Sequence, residues 1–126
     1  MTAATIVHFE IPADNIERAN KFYGGLFGWK IEKVPEMDYW MFRTGAGNGE
    51  QVMGGGIMSR HYPQEPITIY ISVDSVAEYS KKVEGLGGKV TRPKTEVPGH
   101  GWFAVCTDTE NNAFALWENN PQSQQQ

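Results

Sequence analysis

The strongest constraint on this chain is that it repeats itself. The runs "IVHFEIP" and "ITIYISVD" both alternate apolar and polar residues, and each leads straight into a segment of helical periodicity. In the first half Asp14 and Glu17 form a capping-box-like start. Ile16, Ala19, Phe22, Tyr23, Leu26 and Phe27 then share one helical face before Gly28. In the second half Ser75 and Glu78 repeat the cap, Val76, Tyr79, Val83 and Leu86 form the apolar face, and "GLGG" supplies the terminating glycines. Three more strand-like runs follow each helix: "WKIEKV", "YWMFRT" and "QVMGGGIM" in the first half, "KVTRP", "GWFAVCT" and "NAFALWEN" in the second. Each half reads β-α-β-β-β. Two copies are too few for a solenoid, so the pattern predicts one α+β domain over 1–119. Module one spans about 5–58, "SRHYPQEP" is a linker over 59–66, module two spans 67–119, and 120–126 is a frayed, disposable tail.

Strand alternation then assigns faces. Val7, Phe9 and Ile11 share one side of the first strand, and Ile6, His8 and Glu10 the other. Ile69, Ile71 and Val73 share one side of the matching strand, and Thr68, Tyr70, Ser72 and Asp74 the other. The amphipathic helices need apolar surface to cover, so the aliphatic sides belong beneath them. The opposite faces stay polar in both halves, which predicts two half-barrels enclosing a cavity: an open, mixed β-barrel with the helices outside.

Composition narrows the function classes. A net charge of −4 and a pI near 5.3 argue against a phosphate backbone as partner, since that requires clustered Lys and Arg. No apolar run approaches a membrane span and no leader-like segment opens the chain, so no membrane partner and a cytoplasmic location are expected. The lone Cys106 can form no intrachain disulfide and belongs in the core. The stretch "GAGNGEQVMGGG" lacks the Lys-Ser/Thr of a phosphate loop and opens no helix. It reads as a hairpin connection followed by a strand whose missing side chains leave room beside it.

The pattern "VHFEIPADNIERANKFYGGLFGWKI", followed by a β-α unit ending in "LGGKVTRPKTEVPGHGWFAVCTDTENNAFALWEN", resembles the vicinal oxygen chelate superfamily, which includes glyoxalases, bleomycin-resistance proteins and extradiol dioxygenases. The resemblance covers nearly the whole chain and is nearest to small single-domain glyoxalase-like proteins. It implies two modules around an active site, with metal ligands, where present, from the first and last strands of each. His8 then matches the first-strand position of module one, Tyr70 that of module two, and Glu118 the end of the last strand, while the fourth position falls near Met58.

Two good ligands, His8 and Glu118, fall short of a full site, so the expected cofactor is none or a weakly held divalent metal ion. The hairpin Asp108, Thr109, Glu110, Asn111, Asn112 also departs from the Asp-Pro-x-Gly-Asn usual in relatives, at little cost because Asn tolerates a left-handed turn. The resemblance implies that Glu118 faces His8 across the cavity, with Tyr70, Phe114, Leu116, Trp102 and His100 as ligand-binding candidates. Two functions compete. One is sequestration of a small hydrophobic or aromatic molecule, as in bleomycin resistance. The other is a lyase, isomerase or dioxygenase reaction in which His8 and Glu118 hold a metal or act as an acid–base pair. A third is an interaction module whose homodimer surface matters more than its pocket. A homodimer is expected in any of these.

Overall fold

The computed structural model describes residues 4–44 and 53–121. Most of "GAGNGEQVMGGG" and the end of the tail therefore lie outside the described residues. Among those residues the chain forms eight strands and two helices in the order β1 (Thr5–Ala13), α1 (Ile16–Phe27), β2 (Lys30–Lys33), β3 (Tyr39–Arg43), β4 (Gly54–Ser59), β5 (Thr68–Ser72), α2 (Val76–Gly85), β6 (Lys89–Val97), β7 (Gly101–Thr107) and β8 (Ala113–Asn119). This is the doubled β-α-β-β-β order. The chain divides into two compact units, His8–Ile67, and Thr68 onward together with the chain start through Val7.

In the first unit β2 pairs antiparallel with β3, β3 antiparallel with β4, and β4 parallel with β1. The second unit repeats this: β6 with β7 and β7 with β8 are antiparallel, and β8 runs parallel to β5. Both are mixed sheets, as an α+β fold of this kind requires. Neither sheet closes on itself, so no barrel is shown by either.

The helices begin where short polar side chains can accept from an open backbone N–H. Asn15, extended at φ −138°, accepts from the Arg18 N–H at 2.9 Å, so the cap of α1 is Asn15 and not the expected Asp14. Asp14 instead meets the Arg60 guanidinium at 2.9 Å, which also donates to the carbonyls of Glu65 and Pro12 and so ties down the linker. Ser75 caps α2 as expected, accepting from Glu78 N–H at 3.1 Å. Gly28 ends α1 at φ 72°, a left-handed conformation that a side chain would disfavour.

Each helix covers one face of its own sheet. Under α1 lie Ile11, Ala13, Phe42 and Ile57, joined by Phe9, Ile16, Ala19, Tyr23, Trp29, Ile31 and Trp40. Trp29 stacks on Phe42 with ring centroids 4.7 Å apart and planes 5° from parallel. Under α2 lie Val73, Val76, Ala104, Cys106 and Leu116, with Ile71, Tyr79, Val83, Val90 and Phe114 around them. Burying one such large side chain contributes about 1.5–3 kcal/mol. The aliphatic sides of β1 and β5 thus face their helices as alternation requires. Cys106 is buried in this core, and its burial, with the Glu84 carboxylate, pushes the thiol up to about 11.

Candidate functional site

The face of the first unit turned away from α1 carries its polar side chains. Phe9 and Ile11 point beneath the helix, so His8 and Glu10 point the other way. On β3, Trp40 and Phe42 pack in the core, which leaves Tyr39 and Met41 on the His8 face. On β4, Ile57 is in the core, which leaves Gly56 and Met58 on that face. Register brings these together, with Glu10 opposite Gly56, and Gly56 opposite Met41.

Tyr39 is the centre of the arrangement. Its hydroxyl donates to Glu10 Oε2 at 2.8 Å and lies 2.6 Å from His8 Nε2. The one hydroxyl proton goes to the carboxylate, so Nε2 carries a proton and donates to the Tyr39 oxygen. The ring of Tyr39 lies across Gly56, where a Cβ would collide with it. The room beside the glycine strand, read from the sequence, is therefore filled by one specific aromatic ring. Phe42 fills the space over Gly55 in the same way from the other face. All three members of the His8, Tyr39, Glu10 chain are half-buried. Burial holds the His8 imidazole below its ordinary value of 6.5, so at neutral pH it is uncharged. A neutral imidazole can accept a proton, which makes His8 a base and a hydrogen-bonding group rather than a cation.

In the second unit the corresponding face carries Tyr70, which is buried, with the Phe103 ring 6.5 Å away and the Arg92 guanidinium 5.3 Å from that ring. Tyr70 stands opposite Ala115, and Ser72 opposite Trp117. Counting back from the two N-caps, Asn15 and Ser75, sets Glu10 against Tyr70 and His8 against Thr68. The match of His8 with Tyr70 is corrected by two residues, although both lie on the faces away from their helices.

Three more placements differ from expectation. Phe114 and Leu116 belong to the core beneath α2, with Leu116 only 3% exposed, so they line the helix side of the sheet and not its open face. Glu118 continues that same stripe. Its Oε1 accepts the backbone N–H of Val76, the first residue of α2, at 2.9 Å, and Lys94 Nζ lies 3.7 Å from the same oxygen. Trp102 pairs across the strands with Glu118 and is half-buried, with the Lys94 ammonium 5.1 Å from its ring centroid. His100 is exposed in the turn between β6 and β7, where its N–H donates to Val97 and its carbonyl accepts from Asn120.

Glu118 does not present a free carboxylate to a metal ion, since its Oε1 is committed to the Val76 N–H and lies beside the Lys94 ammonium. Among the described residues no three of His, Cys, Asp and Glu gather as a metal site would need. Glu118 is turned to the α2 N-terminus, and the other side of β8 offers Ala113, Ala115, Trp117 and Asn119. Sequence reasoning missed Tyr39 as a functional residue. Only part of the signal was present: alternation turns Tyr39 away from Trp40 and Phe42, but strand pairing, which no local pattern carries, brings it to His8.

The comparisons agree with this architecture. The family described as "Bleomycin resistance protein-like N-terminal" matches residues 5–45. A "Glyoxylase-like domain-containing protein" of Didymella fabae is 30% identical over 115 residues, covering 85% of this chain and 88% of that protein. This chain belongs to the vicinal oxygen chelate superfamily, on its glyoxalase-like branch. A second glyoxalase-like relative, the "Putative glyoxylase CFP32" of Mycobacterium bovis, is 33% identical over 106 residues; the match covers 81% of this chain but only 41% of that longer protein. Among solved structures, methylmalonyl-CoA epimerase from Mycobacterium tuberculosis matches with a TM-score of 0.64 at 10% identity, covering 100% of this chain and 97% of that one. At that identity the likeness concerns the fold alone.

Proposed function

We propose that this glyoxalase-like chain binds a small apolar or aromatic molecule bearing a polar group, on the sheet faces turned away from its helices, and does so without a complete metal site. The barrel implied by the resemblance, with these faces turned inward, is part of that proposal. The observation that carries it is the hydrogen-bonded chain His8, Tyr39, Glu10, seated over Gly56 and flanked by Met41 and Met58. It combines ordered polar groups with adaptable apolar surface, the composition typical of small-molecule sites. The test is a titration with 2-naphthol in the presence of excess chelator, followed by NMR of the methionine methyl groups. The expected result is movement of the Met41 and Met58 signals and weaker binding after Tyr39→Phe. Binding that requires added zinc or nickel, or signals that move only elsewhere, overturns it.

The names of the relatives favour a second reading, an enzyme in which His8 acts as the base. His8→Gln separates the two, because glutamine keeps a hydrogen-bonding group beside Tyr39 but has no basic nitrogen. Turnover abolished by this variant with binding retained supports catalysis by His8. Turnover that survives it rules His8 out as the base.

A further inference from the structure

The open face of the second unit carries a cation whose donors nothing in the fold takes up. Ala104, Cys106 and Leu116 turn beneath α2, so Phe103, Val105 and Trp117 stand on the other side of β7 and β8. Arg92 reaches that side through a shift in strand register. Val90 pairs with Cys106, but the next partner, Val105, stands opposite Arg92 and not Thr91, so one extra residue in β6 turns Arg92 from the helix side to the open face. Bulges of this kind re-aim a side chain and are frequent next to active sites. The guanidinium lies over the Phe103 ring, 5.3 Å from its centroid, and the Tyr70 ring follows 6.5 Å further along. Trp117 stands opposite Phe103, its ring against Gly101 and its indole N–H donating to Asn119 Oδ1 at 2.6 Å.

Two features set Arg92 apart from an ordinary surface arginine. The first is that its fork is open. Arg92 is exposed, and among the described residues no carboxylate, carbonyl or hydroxyl receives its guanidinium N–H groups, whereas those of Arg60 are taken up by Asp14, Glu65 and Pro12. The second is that its charge is uncancelled. In a chain of net charge −4, the strands β5 to β8 place no carboxylate on this face, because Glu96 and Glu118 stand on the helix side opposite Trp102. Lys94 lies there too, engaged by Glu118 and Trp102.

We propose that the polar group of the ligand is an anion, a carboxylate received by Arg92, so that the open faces take a small apolar or aromatic acid. This deepens the reading of those faces as the ligand site and rests on it. A planar guanidinium offers paired N–H donors that match the two oxygens of a carboxylate, and a guanidinium already held over a ring loses less freedom when it binds.

2-Naphthoate and 2-naphthamide share a ring and an outline and differ in charge, and they are the probes. Each is titrated into the full chain at neutral pH with excess chelator, while the tryptophan indole, Arg92 Nε–H and methionine methyl signals are followed by NMR. Naphthoate should bind about tenfold more tightly than the amide, the scale of one hydrogen bond to a charged group. It should shift Trp117 and Arg92 and leave Trp29, Trp40 and Trp102, which lie on the helix sides, in place. Arg92→Gln should bring naphthoate down to the affinity of naphthamide at an unchanged melting temperature, since the side chain is exposed. Lys89→Gln removes a charge at the far end of β6, opposite Thr107, and should keep the preference. Equal binding of the two probes, a preference that persists in Arg92→Gln, or one lost equally in Lys89→Gln each overturns the proposal. If the amide still moves Met41 and Met58 in those cases, the ligand-site reading stands without it. If neither probe moves Met41, Met58 or Trp117, both fall together.

Discussion

At the scale of single residues, Gly56 is the position where the chain has least latitude. A methyl group there meets the Tyr39 ring, whose hydroxyl is already committed between His8 and Glu10, so the ring cannot retreat without breaking that chain. Gly56→Ala should destabilise the fold by about 1–3 kcal/mol, the usual cost of forcing extra volume into a packed site. Urea unfolding measures the loss, and a stability within error of the parent would mean that Tyr39 swings away freely. His8 gives a pH signature whose sign follows from its lowered pKa. Folded His8 resists a proton that the unfolded chain accepts below about 6.5, so this contribution is complete above that value and declines as pH falls through 6.5 toward the lowered folded value. Unfolding curves taken between neutral and mildly acidic pH should therefore slope less in His8→Gln than in the parent. Equal slopes would show that His8 titrates alike in both states.

At the scale of elements, the acid at the end of "AFALWEN" explains itself once its stripe is followed. Phe114 and Leu116 lie beneath α2, and the next residue on that side, Glu118, arrives where the helix begins with open N–H groups. Ser75 satisfies Glu78 and Glu118 satisfies Val76, so strand and loop cap the helix together, with the helix dipole favouring the negative charge. Glu118→Ala should cost about 1–2 kcal/mol, in the range of a lost charge-assisted bond on a part-exposed group, and Glu118→Gln clearly less. Equal losses in thermal unfolding would assign the effect to charge and Lys94 rather than to the cap. The order of elements was legible because apolar periodicity and glycine stops are local signals; β7 falls on "GWFAVCT" itself. The cap of α1 shifted from Asp14 to Asn15 because both residue types cap well and only the Arg60 pairing, remote in sequence, decides between them. The faces of β1 and β5 followed from asking which side a helix must cover. The same question asked of β8 places Phe114 and Leu116 correctly; ranking the resemblance above it put them on the wrong side. Tyr39 escaped notice because its role needs a glycine on β4 and a histidine on β1, a conjunction that no local pattern carries.

At the scale of the whole molecule, the duplicated module leaves one element with its apolar surface incompletely used. Helix α1 has no fully buried residue, and Phe22, Leu26 and Phe27 remain 59%, 59% and 57% exposed. Phe22 and Leu26 lie on the flank of the helix away from Glu17, Asn20 and Lys21, since residues four apart nearly superpose along its axis. A contiguous apolar strip of this kind is usually a contact surface. The free edge of the first sheet is a poorer candidate, because β2 presents Lys30, Glu32 and Lys33, charges of the sort that discourage strand-to-strand pairing. The expected homodimer should therefore form through α1. Light scattering should report twice the 14.1 kDa chain mass, and Phe22→Glu combined with Leu26→Lys should return it to one chain without loss of helix signal. A single-chain mass for the parent across a wide concentration range would rule the dimer out, and a dimer that persists in the double variant would move the interface off α1.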